Sequence, residues 1–410
     1  MIKIHKLFIF LALLVFAPLT ACELETPSES NIEVNITNEV TNKVVDYTDI
    51  TITDLENAMV ETTKAIERSV VGITVKSASV VNIKGELIIS EDVSGYGSGV
   101  IYKREELPEK QGFKYYVITN ANVILDGDKE LIPYIYDGFE DIEIKSTIVG
   151  YDEKLDIAVL TYEHTTYIQP VEFGNSDEIE KGSIVLAVGN PRGPEYFSSV
   201  TSGIISGSLR YLSFDTDDDN INDFSSTFIQ HDASINPGNS GSGLFTLDGK
   251  LIGINKMKLV TTDNVDTDNM GFAIPVNIVK ILVEDYIEPG VEIKRPRLGI
   301  TAIEVRDITP LIMQTNNLLS IPNELYAGLS PYGLYISADV APNCSFSNSG
   351  IEKDDILLEF DGVKITSLNQ ISSHMNSLTD YLVGDEVSIS YYDRSENVVV
   401  KTNVILVPQS

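Results

Sequence analysis

The residues best placed for chemistry lie in one run, HDASINPGNSGSG, from His231 to Gly243. Strand-forming residues lead into it. Pro237 and the glycines then force a tight turn, because glycine takes positive φ at no steric cost. Ser240 sits in that turn between Asn239 and Gly241. A serine hydroxyl presented this way is a candidate nucleophile, and the amides of Gly238 and Ser240 are candidate donors to one developing oxyanion. The plain alternative is a glycine-rich hairpin loop. An α/β-hydrolase elbow is excluded, since that turn needs a glycine two places after the serine and Ser242 stands there.

The surrounding pattern predicts what must hold this loop. LFTLDGKLIGIN reads as two strands joined by Asp248-Gly249. Leu55 to Arg68 reads as an amphipathic helix and Val70 to Val75 as a first strand. GSGVIYK, KYYVITNANVI, IEIKSTIVGYD, DIAVLTYE, SIVLAVGNP and VTSGIISGSLR continue as short β-runs without intervening helices, which argues for a barrel or sandwich. From Arg295 the pattern changes to a small mixed α/β unit: RPRLGI, YGLYISADV, GIEKDDILLEFDGVKI, a helix from Asn369 to Leu378, then VGDEVSISYYD and NVVVKTNVIL.

The nucleophile run resembles that of the HtrA/DegP family of trypsin-like serine proteases, and the resemblance extends from about Ser69 to Leu406. It implies a mostly β chain: a two-barrel trypsin-like domain over residues 55–286, followed by a small α/β PDZ domain over 295–408. It implies Ser240 as nucleophile and, from the match of DEKLDIAVL, Asp156 as the acid that orients the base. The base position of the family's T-N-x-H-V pattern falls on Asn122 in TNANV. An amide cannot take and return a proton near neutrality. Losing the base of such a triad costs roughly a millionfold in turnover, on the order of 8 kcal/mol. Among the 4 histidines, His231 is the candidate for a relocated base, and His164 is expected at the surface. The resemblance also puts Ser234 at the floor of the specificity pocket, where a small neutral side chain suits a small aliphatic residue. Arg297, Leu298, Gly299 and Ile300 become the loop that receives a peptide C-terminal carboxylate. Unfolded or exported polypeptides are the implied partners, and a homotrimer the implied assembly.

Composition sets the remaining bounds. The 410 residues have room for two domains and a linker. A net charge of -32 repels nucleic-acid phosphates, so DNA and RNA are set aside. Lys3, Lys6 and the apolar LFIFLALLVFAPLTA read as an export signal over residues 1–21. Its end, Leu-Thr-Ala-Cys22, resembles a lipobox, which implies a lipid on Cys22 and a membrane anchor outside the cytoplasm; an uncleaved signal anchor is the alternative. Residues 22–54 read as a polar tether. With Cys22 lipidated, Cys344 has no disulfide partner in the chain. The loop from Asp215 to Asp223 alternates oxygen ligands like a calcium loop but lacks the closing glutamate, and reads as a solvated acidic loop. No Cys/His cluster and no phosphate-binding glycine loop is present, so neither a metal nor another cofactor is expected. Two functions stay open: an endopeptidase with an unconventional base, or a pseudoprotease that binds polypeptides.

Overall fold

A computed structural model describes residues 51–83, 86–127, 129–138, 142–191, 193–214, 224–256, 270–308 and 332–408. The export signal, Cys22, nearly all of the tether, the acidic loop 215–223 and most of the stretch 301–331 lie outside the described residues. The first helix, α1 (Ile52–Ile66), starts where Thr51 caps it. Thr51 and Asp54 bond to each other's backbone in a capping box. Its buried face, Thr62 and Ile66, lies on the β-structure, and the Thr62 hydroxyl donates to the Leu247 carbonyl.

Nine strands follow among the described residues. They are β1 (Val70–Ile83), β2 (Glu86–Glu106), β3 (Phe113–Thr119), β4 (Leu125–Asp126), β5 (Lys129–Glu130), β6 (Ile132–Tyr136), β7 (Ile144–Lys145), β8 (Thr147–Asp152) and β9 (Ile157–His164). Apart from the β4–β5 ribbon they form one sheet in the order β7-β6-β1-β2-β3-β9-β8. β7 at one edge lies against β9 near the other, so the sheet rolls up around Ile73, Ile101, Tyr115, Val117 and Leu160. The run read as the single strand KYYVITNANVI breaks after Thr119. A helical turn, α2 (Ala121–Ile124), follows, with Asn120 in extended conformation before it. Asn122 therefore stands on a helical turn rather than at a strand end.

The second sheet holds β10 (Glu172–Phe173), β11 (Ile184–Gly189), β12 (Ser199–Phe214), β13 (Phe224–His231), β14 (Gly243–Thr246), β15 (Lys250–Lys256) and β16 (Gly271–Pro275). Pairing of β15 with β16 closes β15-β14-β11-β12-β13-β16 into a ring. The largest apolar cluster joins the two sheets: Val70, Val100, Ile118 and Ile157 of the first meet Phe228, Phe245, Ile254 and Ile274 of the second. Burying such side chains is worth about 1.5–3 kcal/mol each, which makes this seam the main adhesive of the domain.

A short helix, α3 (Val276–Ile281), leads to a third sheet. It contains β17 (Ala302–Glu304), β18 (Leu334–Ile336), β19 (Ile356–Phe360), β20 (Val363–Lys364), β21 (Glu386–Asp393) and β22 (Val398–Ile405), in the order β17-β18-β19-β21-β22 with β20 paired to β19. The helix α4 (Leu368–Asn376) covers it and is capped by the Ser367 hydroxyl, which accepts from the Asn369 amide. The other face of α4 meets the second sheet. Ser213 Oγ donates to Asn369 Oδ1 (2.6 Å), Asn376 Nδ2 donates to the Ser225 carbonyl (2.8 Å), and Leu378 joins the main apolar cluster. Arg295 adds a buried anchor: its guanidinium donates twice to the Asp152 carboxylate, at 3.1 and 2.6 Å.

Candidate active site

Ser240 lies where the two β-sheets meet, and residues of both build its loop. Gly238 and Gly241 have φ of 97° and 82°, the left-handed region that favours glycine. A Cβ on Gly241 would lie 2.2 Å from the Ser98 carbonyl oxygen, so the loop is pressed onto β2 at that point. Ser98 is the staple. Its amide donates to the Ser240 carbonyl (2.9 Å), and its buried hydroxyl donates to the Gly238 carbonyl (2.7 Å). From the other side, the Gly241 amide donates to the Asn255 carbonyl of β15 (3.0 Å). Ser242 is fully buried, and its hydroxyl accepts from Asn255 Nδ2 (2.9 Å), so the side chain in place of a glycine serves as a stitch between loop and strand. Neither the Gly238 nor the Ser240 amide donates to a described backbone carbonyl, which leaves both for an oxyanion.

Asp156 is placed by a different device. The Leu155 amide donates to Asp152 Oδ2 (2.9 Å), closing the turn between β8 and β9, and Asp156 itself takes φ 61°. Its side chain is 4% exposed. Asn122 grips it twice: the backbone amide donates to Oδ1 and the side-chain Nδ2 donates to Oδ2, both at 2.8 Å. Asn120 Nδ2 donates to the Asp156 carbonyl (2.8 Å), so α2 and the Asp156 turn form one unit. Lys256, the last residue of β15, brings Nζ to 3.3 Å from Asp156 Oδ2. Burial raises the Asp156 pKa above the usual aspartate value; the Lys256 charge and the Asn122 donors oppose that rise. Neither Ser98 nor Lys256 is signalled by the motifs: Ser98 lies in a run read only as a strand, and Lys256 lies one residue past the end of the strand pair read as LFTLDGKLIGIN.

No described histidine serves Ser240. His231 is fully buried, with neither ring nitrogen hydrogen-bonded, and its ring fills the space over Gly271. His164, expected at the surface, is buried: its Nδ1 accepts from the Thr166 amide, and its Nε2 faces Asp137 Oδ2 at 3.8 Å. It ends β9 where the rolled sheet covers it. His374 on α4 contacts Tyr211 and Asp380. Ser234 is exposed, and its carbonyl accepts from Thr201 Oγ1 (3.0 Å).

The buried His231 carries a pH signature. Burial pushes its pKa down to about 4, against a smaller opposing pull from Asn255, which lies beside the ring without a bond of good geometry. The unfolded chain takes up this proton near pH 6.5. Stability from this residue is therefore full above pH 6.5 and falls as pH drops toward 4, by about 3 kcal/mol at most. Urea unfolding at pH 7 and pH 4.5 should show that loss shrinking in His231→Phe. An identical loss in the variant would contradict the assignment.

Comparison with known proteins bears on the family and the fold. Residues 97–254 match the family described as a trypsin-like peptidase domain. The chain is 35% identical over 309 residues to a serine protease Do-like HtrA of Lactobacillus helveticus, covering 75% of this chain and 68% of that protein. It is 33% identical over 313 residues to a Bacillus subtilis protein of the same description, covering 76% of this chain and 64% of that one. Among solved structures, an HtrA-type protease AlgW with decapeptide superposes with a TM-score of 0.60 at 23% identity, over 86% of this chain and 99% of that one. A serine endoprotease from Yersinia pestis gives 0.54 at 22% identity, a likeness of fold. A serine-bearing loop stapled between two β-sheets is the setting, and the relatives make the assignment: the chain belongs to the HtrA family of trypsin-like serine proteases.

Proposed function

We propose that this protein is an HtrA-family member whose peptide-bond chemistry is arrested, and that it holds polypeptides rather than cutting them. One observation carries this: the group bonded to Asp156, at the position where the family's pattern has its base, is the amide of Asn122. Acyl transfer needs the Ser240 proton to leave as its oxygen attacks, and then to reach the departing amine. The Asn122 amide donates into Asp156 and has no basic lone pair to offer Ser240. The serine and two unengaged amide donors remain, so the loop still suits a peptide carbonyl directed at Gly238 and Ser240. Those same donors favour the second reading, an endopeptidase with slow residual turnover.

A peptide site of another kind is proposed on residues 295–408, as a PDZ-type domain. A groove of about 560 Å³ lies between Arg297–Thr301 and α4. Gly299 takes φ 77°, and the amides of Leu298, Gly299 and Ile300 donate to no described backbone carbonyl, which supports capture of a terminal carboxylate there. The trypsin-like part is assigned to residues 55–286. Lipidation of Cys22, an extracytoplasmic location and a trimer are further parts of the proposal. They rest on the sequence resemblance.

Holding without cutting is testable. At equimolar ratio the protein should suppress light scattering by a heat-unfolded client, equally well as Ser240→Ala, while the client stays full length on a gel. Client fragments that vanish in Ser240→Ala would overturn the proposal.

A further inference from the structure

The lost imidazole left more than a missing base. In a serine triad the aspartate is buried because an imidazolium forms beside it during the reaction. Here the same kind of buried carboxylate faces a neutral amide. Hydrogen bonds alone do not offset a buried charge, and such carboxylates are paired or protonated. Among the described residues, the cation paired with Asp156 is Lys256, at 3.3 Å from the same Oδ2 that accepts from Asn122 Nδ2.

The route by which Lys256 arrives matters. It follows Asn255 on β15, whose backbone and side chain make three bonds to the nucleophile loop: Gly241 N to Asn255 O, Asn255 N to Ser242 O, and Asn255 Nδ2 to Ser242 Oγ. Lys256 thus ties the strand behind Ser240 to the turn carrying Asp156. Its side chain is 19% exposed, so the pair is only weakly screened.

We propose that Lys256 is a positioning residue that has taken the charge-partner role at Asp156, so that Asn122 and Lys256 form one coupled replacement and restoring the histidine alone does not restore the triad. This rests on the reading of arrested chemistry given above. As an ammonium, Lys256 has donors only and is no substitute base. With that cation on Oδ2, Asp156 cannot lend its full charge to an imidazolium introduced at position 122. The ring then holds its proton poorly and shuttles it inefficiently. Among the described residues, Asp156 and Lys256 are the titratable groups bonded at that position, and the buried His231 lies beyond them, next to Asn255.

The test compares Asn122→His with Asn122→His/Lys256→Thr, reading the pKa of the introduced imidazole by NMR and kcat/KM on casein. The double variant should raise the imidazole pKa by about one unit or more and kcat/KM about tenfold. Asn122→His/Lys256→Arg, which keeps the charge, should behave like the single variant. If the threonine variant folds poorly, Lys256→Gln keeps the length without the charge and must give the same rise in pKa. Equal imidazole pKa values with and without the Lys256 charge, or a fall in kcat/KM on its removal, would overturn the proposal. Should the protein as written already cleave casein through Ser240, the arrested reading fails, while the imidazole pKa comparison still decides the role of Lys256.

Discussion

Casein incubated with the protein as written should stay intact over a period in which an Asn122→His/Lys256→Thr variant digests it. The expected gap is large. Removing the base of a serine triad costs roughly a millionfold in turnover, on the order of 8 kcal/mol. A repaired site recovers only part of it, and a gain of about 10²–10⁴ is what positioned general-base catalysis supplies. The gain must disappear in the same variant carrying Ser240→Ala, which separates the site from any contaminating protease. The gain requires the rest of the apparatus to be in place already. Ser98 and Asn255 hold the loop from both sides, and the Gly238 and Ser240 amides remain unengaged by described carbonyls. No gain in the repaired variant, with the protein still folded, would mean that the loop geometry and not the base is what fails.

The second large effect concerns stability. Asp152→Ala should cost about 3–5 kcal/mol, because it leaves the Arg295 guanidinium buried without its carboxylate. Arg295 is 8% exposed, and its charged group also lies 5.6 Å from the Phe224 ring. The pair joins the end of β8 to the segment entering the third sheet, and the same carboxylate closes the turn that presents Asp156 through the Leu155 amide. The loss should therefore reach the site, loosening the Asn122–Asp156 contact as well as lowering the denaturation midpoint. Replacing both partners, as Asp152→Leu/Arg295→Met, should recover much of the stability, since an apolar pair of similar size need not pay the desolvation of two ions. A loss below about 1 kcal/mol for Asp152→Ala would show that Arg295 finds water instead.

The parts legible in the sequence are those set by local chemistry. Glycines flanking Ser240, the DEKLDIAVL run around Asp156 and alternating strands each carry their signal within about ten residues. The break after Thr119 was not legible, because Ala121, Val123 and Ile124 continue the apolar character of β3 into a helical turn. What turns the chain there is tertiary: Asn120 and Asn122 are drawn to Asp156, 36 and 34 residues away. Lys256 and Ser98 carry no sequence signal for the same reason, since pairing across sheets leaves no mark on spacing. His164 reads as polar and solvent-facing at a strand end, and only the rolled sheet buries it beside Asp137. The docking of α4 on β12 and β13 is likewise set by surface fit between distant segments.

On the reading proposed above, Ser240 has no group among the described residues to take its proton. Phosphonylation by a fluorophosphonate, in which the Ser240 oxygen gives up its proton and displaces fluoride at phosphorus, reads that step without product release. Intact mass after exposure at neutral pH should show no adduct on the protein as written beyond that on Ser240→Ala, and one adduct on the repaired variant. Stoichiometric labelling of Ser240 in the unaltered protein, at a rate matching the repaired one, would contradict the account.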